Sequence, residues 1–227
     1  MRVPGVNHLV LLVLAVVGIA SRSDAATIIT VPLNLNPGDI YRLVFFTSTL
    51  TDATSTDINY YNNFVTLVAD TVPALVDLGA TWTVIGSTAT VDAKTNIGDT
   101  ASGIYTLDGT EVAAGTAELF SPETSPLLSP IEIDQNGHMR ADYVFTGGRS
   151  GISDGAPLGG AYTLVGATWA TSSAWIEYSA MPASNRYSLY AISSELTVTV
   201  PEPTTIGLTA LAGAILLLAR RRKRKGQ

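Results

Sequence analysis

Residues 41–79 read YRLVFFTSTLTDATSTDINYYNNFVTLVADTVPALVDLG, and the fold class turns on them. Tyr41 to Thr47 is an almost unbroken apolar run rich in β-formers, which predicts a central strand. A turn cluster, Asn36-Pro37-Gly38-Asp39, separates it from an earlier β-rich run at Thr27 to Val31. Ile58, Tyr61, Val65, Val68 and Val72 then recur at spacings of three and four, joined by Phe64 and Ala69. That period predicts an amphipathic helix, with Thr56 or Asp57 able to cap its start. Pro73 interrupts the pattern, so Pro73 to Leu78 reads as a short second helix stopped by Gly79.

Beyond Gly79 the chain turns to β character. Trp82 to Ile85 reads as a strand, as do Ala161 to Ala167, Ser173 to Tyr178 and Tyr187 to Val200. Asp108-Gly109 joins Gly103–Asp108 to Glu111–Ala113 as a hairpin. Asn136-Gly137 reads the same way between Ile131–Asp134 and Ala141–Thr146. Ser121 to Pro130 carries three prolines, and Gly147 to Gly160 carries six glycines without periodicity; both read as loops. No repeat and no linker divides residues 26–200, which form one domain. One strand, two helices and then many short strands is an α+β order.

The charge is distributed in three unlike parts. The formal net charge of −6 combines +1 over residues 1–25, −12 over 26–200 and +5 over 201–227. A body this acidic is repelled by phosphate, so nucleic acid is excluded as a partner. The absence of Cys excludes disulfides, thiolate catalysis and Cys-ligated metals. Arg2 followed by the apolar stretch Leu9 to Ala20 has the form of a secretory leader. Ser23-Asp24-Ala25 places small residues for signal-peptidase cleavage between Ala25 and Ala26. At the other end Pro201-Glu202-Pro203 precedes the apolar segment 204–219, and a basic tail over 220–225 begins Arg220-Arg221-Arg222. The segment predicts a C-terminal transmembrane helix with its basic side in the cytoplasm.

The order Pro-Glu-Pro, apolar segment and Arg cluster over 201–225 resembles the PEP-CTERM sorting signal of exported bacterial proteins. The resemblance implies recognition by an exosortase-type membrane peptidase and removal of the tail. It further implies inner-membrane anchoring before processing, then release or attachment at the surface of a cell that makes extracellular polysaccharide. The body has its own resemblance, carried by Ala80–Ser87 (ATWTVIGS), Val91–Lys94 (VDAK), Ile104–Thr110 (IYTLDGT), Ala117–Phe120 (AELF), Val144–Gly147 (VFTG) and Leu189–Ala191 (LYA). These are similar to the C-type-lectin-like fold, in its disulfide-poor, endostatin-like branch. Both cysteine pairs and the calcium–sugar triplets of true C-type lectins are missing, so that ligand site does not carry over.

Candidate chemistry is sparse. His138 is the only His of the body and stands beside a predicted turn without a nucleophile motif. Asp134-Gln135-Asn136-Gly137-His138 has calcium-loop character, but its Gly falls at position four and Phe145 holds position twelve. Ser153, Asp154 and Gly155 cluster in the glycine-rich loop with a single carboxylate. Gly147-Gly148-Arg149-Ser150-Gly151 lacks the Lys-Ser/Thr ending of a phosphate loop. Seventeen acidic residues in the body make some close pair inevitable, and Glu177 near Trp175 is the most site-like. Aromatic residues crowd the last third. A ligand face is expected there from Trp169, Trp175, Glu177, Tyr178, Asn185 and Arg186.

The sequence therefore predicts an exported cell-surface or extracellular-matrix protein without catalytic residues, metal or cofactor. Its body is expected to bind an extracellular polysaccharide or a surface protein. A structural matrix component without a discrete ligand is the first alternative, and a carboxylate glycoside hydrolase the second.

Overall fold

The computed structural model describes residues 27–121, 126–149 and 155–199. Its strands are β1 (Ile40–Phe46), β2 (Trp82–Val84), β3 (Gly103–Thr106), β4 (Glu111–Ala113) and β5 (Tyr143–Phe145). They continue with β6 (Tyr162–Ala167), β7 (Ser179–Pro182), β8 (Ser188–Ser193) and β9 (Leu196–Thr197). The helices are α1 (Ile58–Ala69), α2 (Pro73–Val76), α3 (Ala93–Ile97) and α4 (Thr116–Leu119). All nine strands join one sheet in the order β4-β3-β1-β8-β5-β6-β7, with β2 also on β8 and β9 on β1.

β1 is interior, as its apolar run predicts, with β3 on one side and β8 on the other. Tyr41, Leu43 and Phe45 enter one core while Val44 and Phe46 enter another on the opposite face. β8 divides likewise, with Leu189 and Ala191 on the first face and Tyr190 and Ile192 on the second. A strand buried on both faces has no polar side to show, which is why the alternation disappears from its sequence.

α1 covers the first face with Ile58, Tyr61, Val65, Val68 and Ala69. Asp57 caps it, its carboxylate accepting the Asn59 N–H at 2.9 Å. Pro73 opens α2, and Gly79 (φ +61°) follows it in the left-handed region that favours glycine. The outer side of β2 is closed by two asparagines. The Val84 N–H donates to Asn62 Oδ1 at 3.0 Å, and Asn96 Nδ2 donates to the Val84 carbonyl at 2.9 Å. The second face is covered by α3, α4 and a 3₁₀ turn at Ser173–Trp175. That turn crosses β6 so closely that a Cβ on Gly166 would lie 1.8 Å from the Trp175 carbonyl oxygen.

The architecture corrects the expected α+β, C-type-lectin-like fold of two helices followed by antiparallel strands. The sheet is mixed: β1 runs parallel to β3, and β5 runs parallel to β8. Helices are few and mostly of four or five residues. Among the described residues no helix is long and apolar enough to cross a membrane. The transmembrane helix expected at 204–219 lies outside the described residues, as do the signal peptide and both sides of its cut at Ala25 and Ala26.

Three local expectations change too. Thr27 to Val31 is no strand, although Ile29 donates to the Leu107 carbonyl at 2.7 Å. The Asn136-Gly137 turn forms, but the chain after it leaves its partner, and β5 pairs with β6 and β8 instead. Ser173 to Tyr178 opens with the 3₁₀ turn Ser173–Trp175 and forms no strand, because it arches over β6.

The sheet has two distinct ends. β9 pairs with the start of β1 (Ile40 opposite Thr197), at the end where β8 finishes. At the other end β8 begins beside β5 (Val144 opposite Ser188).

Candidate functional site

Four aromatic residues meet at the end where β8 begins. Tyr143 opens β5, Tyr187 directly precedes β8, Tyr178 directly precedes β7, and Trp169 follows β6. Tyr143 is the hub, with ring centroids 5.3 Å from Trp169, 5.5 Å from Tyr178 and 6.2 Å from Tyr187. Trp169 and Tyr178 stand 6.1 Å apart. Buried Phe145 supports Tyr187 from below at 5.0 Å. The hub rings are half-buried, whereas Trp169 is 41% exposed and Tyr178 51%. The Tyr143 phenol is pushed above its ordinary pKa by desolvation, then by its hydrogen bond to Tyr178 and by the nearby phenols Tyr178 and Tyr187. It stays neutral at any physiological pH and keeps its donor.

The row continues sideways. Thr51 exchanges both backbone hydrogen bonds with Tyr187 at 3.0 Å, and its hydroxyl lies 3.4 Å from that of Tyr60. Tyr60 is itself exposed. Neither Tyr60 nor Tyr143 is singled out by sequence, because each sits inside a pattern already explained by a helix or a strand. Their signal was type and position: a phenol at the first turn of a helix and at the first residue of a strand, where side chains reach the rim.

The polar residues expected around the row are present but engaged. Glu177 pairs with Arg149 at 3.0 Å, so its carboxylate faces a cation rather than a second carboxylate. Arg186 donates to the Leu50 carbonyl at 2.7 Å, and the Asn185 N–H donates to the Pro182 carbonyl at 3.0 Å. The Asp52 carboxyl is held below its ordinary pKa, first by the Thr54 hydroxyl and backbone N–H, then by Arg186.

Trp175 does not belong to this face. It is fully buried in the second core, between Phe120 at 6.1 Å and Tyr190 at 5.7 Å. Tyr190 donates to its carbonyl at 3.2 Å, while its own Nε1 finds no partner among the described residues. The reversal follows from the 3₁₀ turn, which points Trp175 inward and leaves Tyr178 outside.

The Asp134 loop has spent its ligands. The buried Asp134 carboxylate accepts the N–H groups of Asn136 at 2.8 Å and His138 at 3.0 Å, which builds the turn. The His138 ring stands outside it, 3.6 Å from the same oxygen. Arg140 lies 4.0 Å from Asp134 and 3.5 Å from Asp142, over the Phe46 ring. Among the described residues no three His, Asp or Glu side chains converge on a point. Ser153 and Asp154 lie outside the described residues. Gly147 (φ +67°) is packed under Ser87 and Leu158 rather than held open. A dent of about 120 Å³ lies on the second face between Val112, Glu118 and Leu128, well below the several hundred Å³ usual for a ligand cleft.

The fold holds the chain up to Val198, the last buried residue among those described. The Val198 N–H donates to the Asp39 carbonyl, and the Gly38 N–H donates back to the Val198 carbonyl, both at 2.9 Å. From Thr199 onward the chain carries a PEP-CTERM protein-sorting motif, matched over residues 199–224. The motif spans Pro201, Glu202, Pro203 and the Arg220–Arg222 cluster. No curated protein matches the chain. The motif makes the chain an exported protein sorted to the cell surface through exosortase, a membrane enzyme.

Proposed function

We propose that the mature chain is a non-enzymatic surface or matrix module that binds a glycan through Tyr143, Trp169 and Tyr178. The carrying observation is the pair of half-exposed rings, Trp169 and Tyr178, held by Tyr143 at the end of the sheet opposite Thr197. Sugars present C–H faces that pack on aromatic rings, and phenols at the rim supply hydrogen bonds. Rings fixed by neighbouring rings lose little entropy on binding, so their contact energy reaches the ligand. Glu177 and Arg186 border the row as polar contacts rather than as catalysts, since each is already engaged.

The test is a glycan array probed with the mature protein from its host. Saturable binding to one glycan class is expected. Trp169→Ala and Tyr178→Ala each remove an aromatic anchor worth about 2 kcal/mol, roughly thirtyfold in Kd. Binding that survives both substitutions sinks the assignment of the face. No binding to any glycan leaves the structural matrix role.

A further inference from the structure

We infer that the loop 31–40 is a docking surface for the neutral face of a phospholipid bilayer. It sits where the sorting motif leaves the fold. Gly38 and Asp39 bond directly to Val198, and Ile40 pairs with Thr197. Only Thr199 and Val200 separate Val198 from Pro201 in the sequence, so the Pro-Glu-Pro of the motif begins three residues after the last hydrogen bond to the sheet described for this chain. A membrane enzyme that processes this motif must therefore bring this end of the body to the bilayer.

The loop is built for that contact. Pro32 is buried and Leu35 packs on the first core, while the Leu35 N–H donates to the Pro32 carbonyl at 3.2 Å. That turn turns Leu33 outward, 93% exposed, between exposed Val31 and Ile40. Scattered apolar residues are ordinary on a surface. Here three large ones share one loop beside the point where the chain enters a membrane-processed motif. The loop carries no cation, and Asp39 is its one charge, already accepting the Asn36 N–H at 2.7 Å. Nearby Arg42 is buried and donates inward to the Ser193 carbonyl at 2.6 Å. The contact is thus apolar insertion between headgroups, suited to zwitterionic lipid and insensitive to salt. It places the aromatic row about 20 Å away, the length of β8, facing the medium. The inference stands whether or not that row binds glycan.

The absence of native Cys makes the test direct. Full chain carrying Leu33→Cys is labelled with an environment-sensitive fluorophore and mixed with phosphatidylcholine vesicles containing a nitroxide lipid. Met139→Cys, exposed at the opposite end, is the comparator. At least threefold stronger quenching at 33 than at 139 is expected, unchanged in high salt. Equal quenching at the two sites, or no association with vesicles, overturns the inference. In the host, Leu33→Asp is expected to slow tail removal at least threefold. Protection of position 33 that appears only in membranes containing exosortase assigns the contact to the enzyme and overturns the lipid assignment.

Discussion

Trp175 and Trp169 are six residues apart and have opposite structural roles, and replacing each separates them. Trp175 is fully enclosed and stacks near Phe120 and Tyr190. Trp175→Ala leaves a large cavity and costs about 3–5 kcal/mol. For a domain of this size each kcal/mol lowers Tm by about 2–4 °C, so a drop of roughly 6–20 °C is expected. Trp169 is 41% exposed and touches mainly Tyr143 and Tyr178. Its replacement by Ala costs about 1 kcal/mol, the worth of such ring pairs. Trp175→Phe is the sharper probe. It keeps a ring in the site but removes Nε1, a buried donor without a partner among the described residues. Relief of that donor is worth about 1–3 kcal/mol, against about 1–2 kcal/mol for the smaller ring. The net change is expected to lie between a loss of about 1 kcal/mol and a gain of about 2 kcal/mol. Calorimetry on the mature protein reads all three variants without relying on indole fluorescence. A Trp175→Phe loss as large as that of Trp175→Ala would refute the reasoning, because Nε1 would then be a satisfied donor. Equal losses for Trp169→Ala and Trp175→Ala would place the wrong ring in the core.

Asn96→Ala removes the donor to the Val84 carbonyl and one partner of Asn62, and costs about 1–3 kcal/mol in denaturant unfolding. Faster hydrogen exchange confined to β2 and its neighbours accompanies it; an unchanged exchange pattern rejects the edge-closing role. Partial burial raises the Asp108 pKa, but hydrogen bonds from Thr106 and Thr110 outweigh it and hold the carboxyl below its ordinary value. Because the folded pKa is depressed, this stabilisation is present above the unfolded value of about 3.9 and fades as pH falls through the folded one. Asp108→Asn is therefore expected to flatten the acid limb of a stability–pH curve below about pH 4. An unaltered limb contradicts it.

α1 was legible because its core face repeats at helical spacing and Asp57 stands where a cap belongs. β1 was legible because two-sided burial leaves an unbroken apolar run. The parallel pairings were not legible. A short strand such as Tyr143–Phe145 carries the same side chains whether its neighbour runs with it or against it. The fold resemblance rested on such short motifs and could not determine strand direction. In the site, residue type identified Trp169 and Tyr178 as candidates, but burial is a long-range outcome. Whether Trp175 faced in or out depended on Gly166, on β6, allowing the turn to approach. The Arg149 partner of Glu177 was equally invisible, 28 residues away.

The pairing of β1 with β8 also governs when the molecule can exist as a folded object. Val44 lies opposite Ile192, so this interior strand waits for a neighbour made almost 150 residues later. Until then β1 has one flank bare, and the loop to be closed is nearly the whole body. During synthesis and export the chain therefore lacks its centre until its last strands emerge. Those strands are followed at once by the sorting motif. The core thus cannot be complete until the chain has been made to within a few residues of the motif, so little time separates the two events.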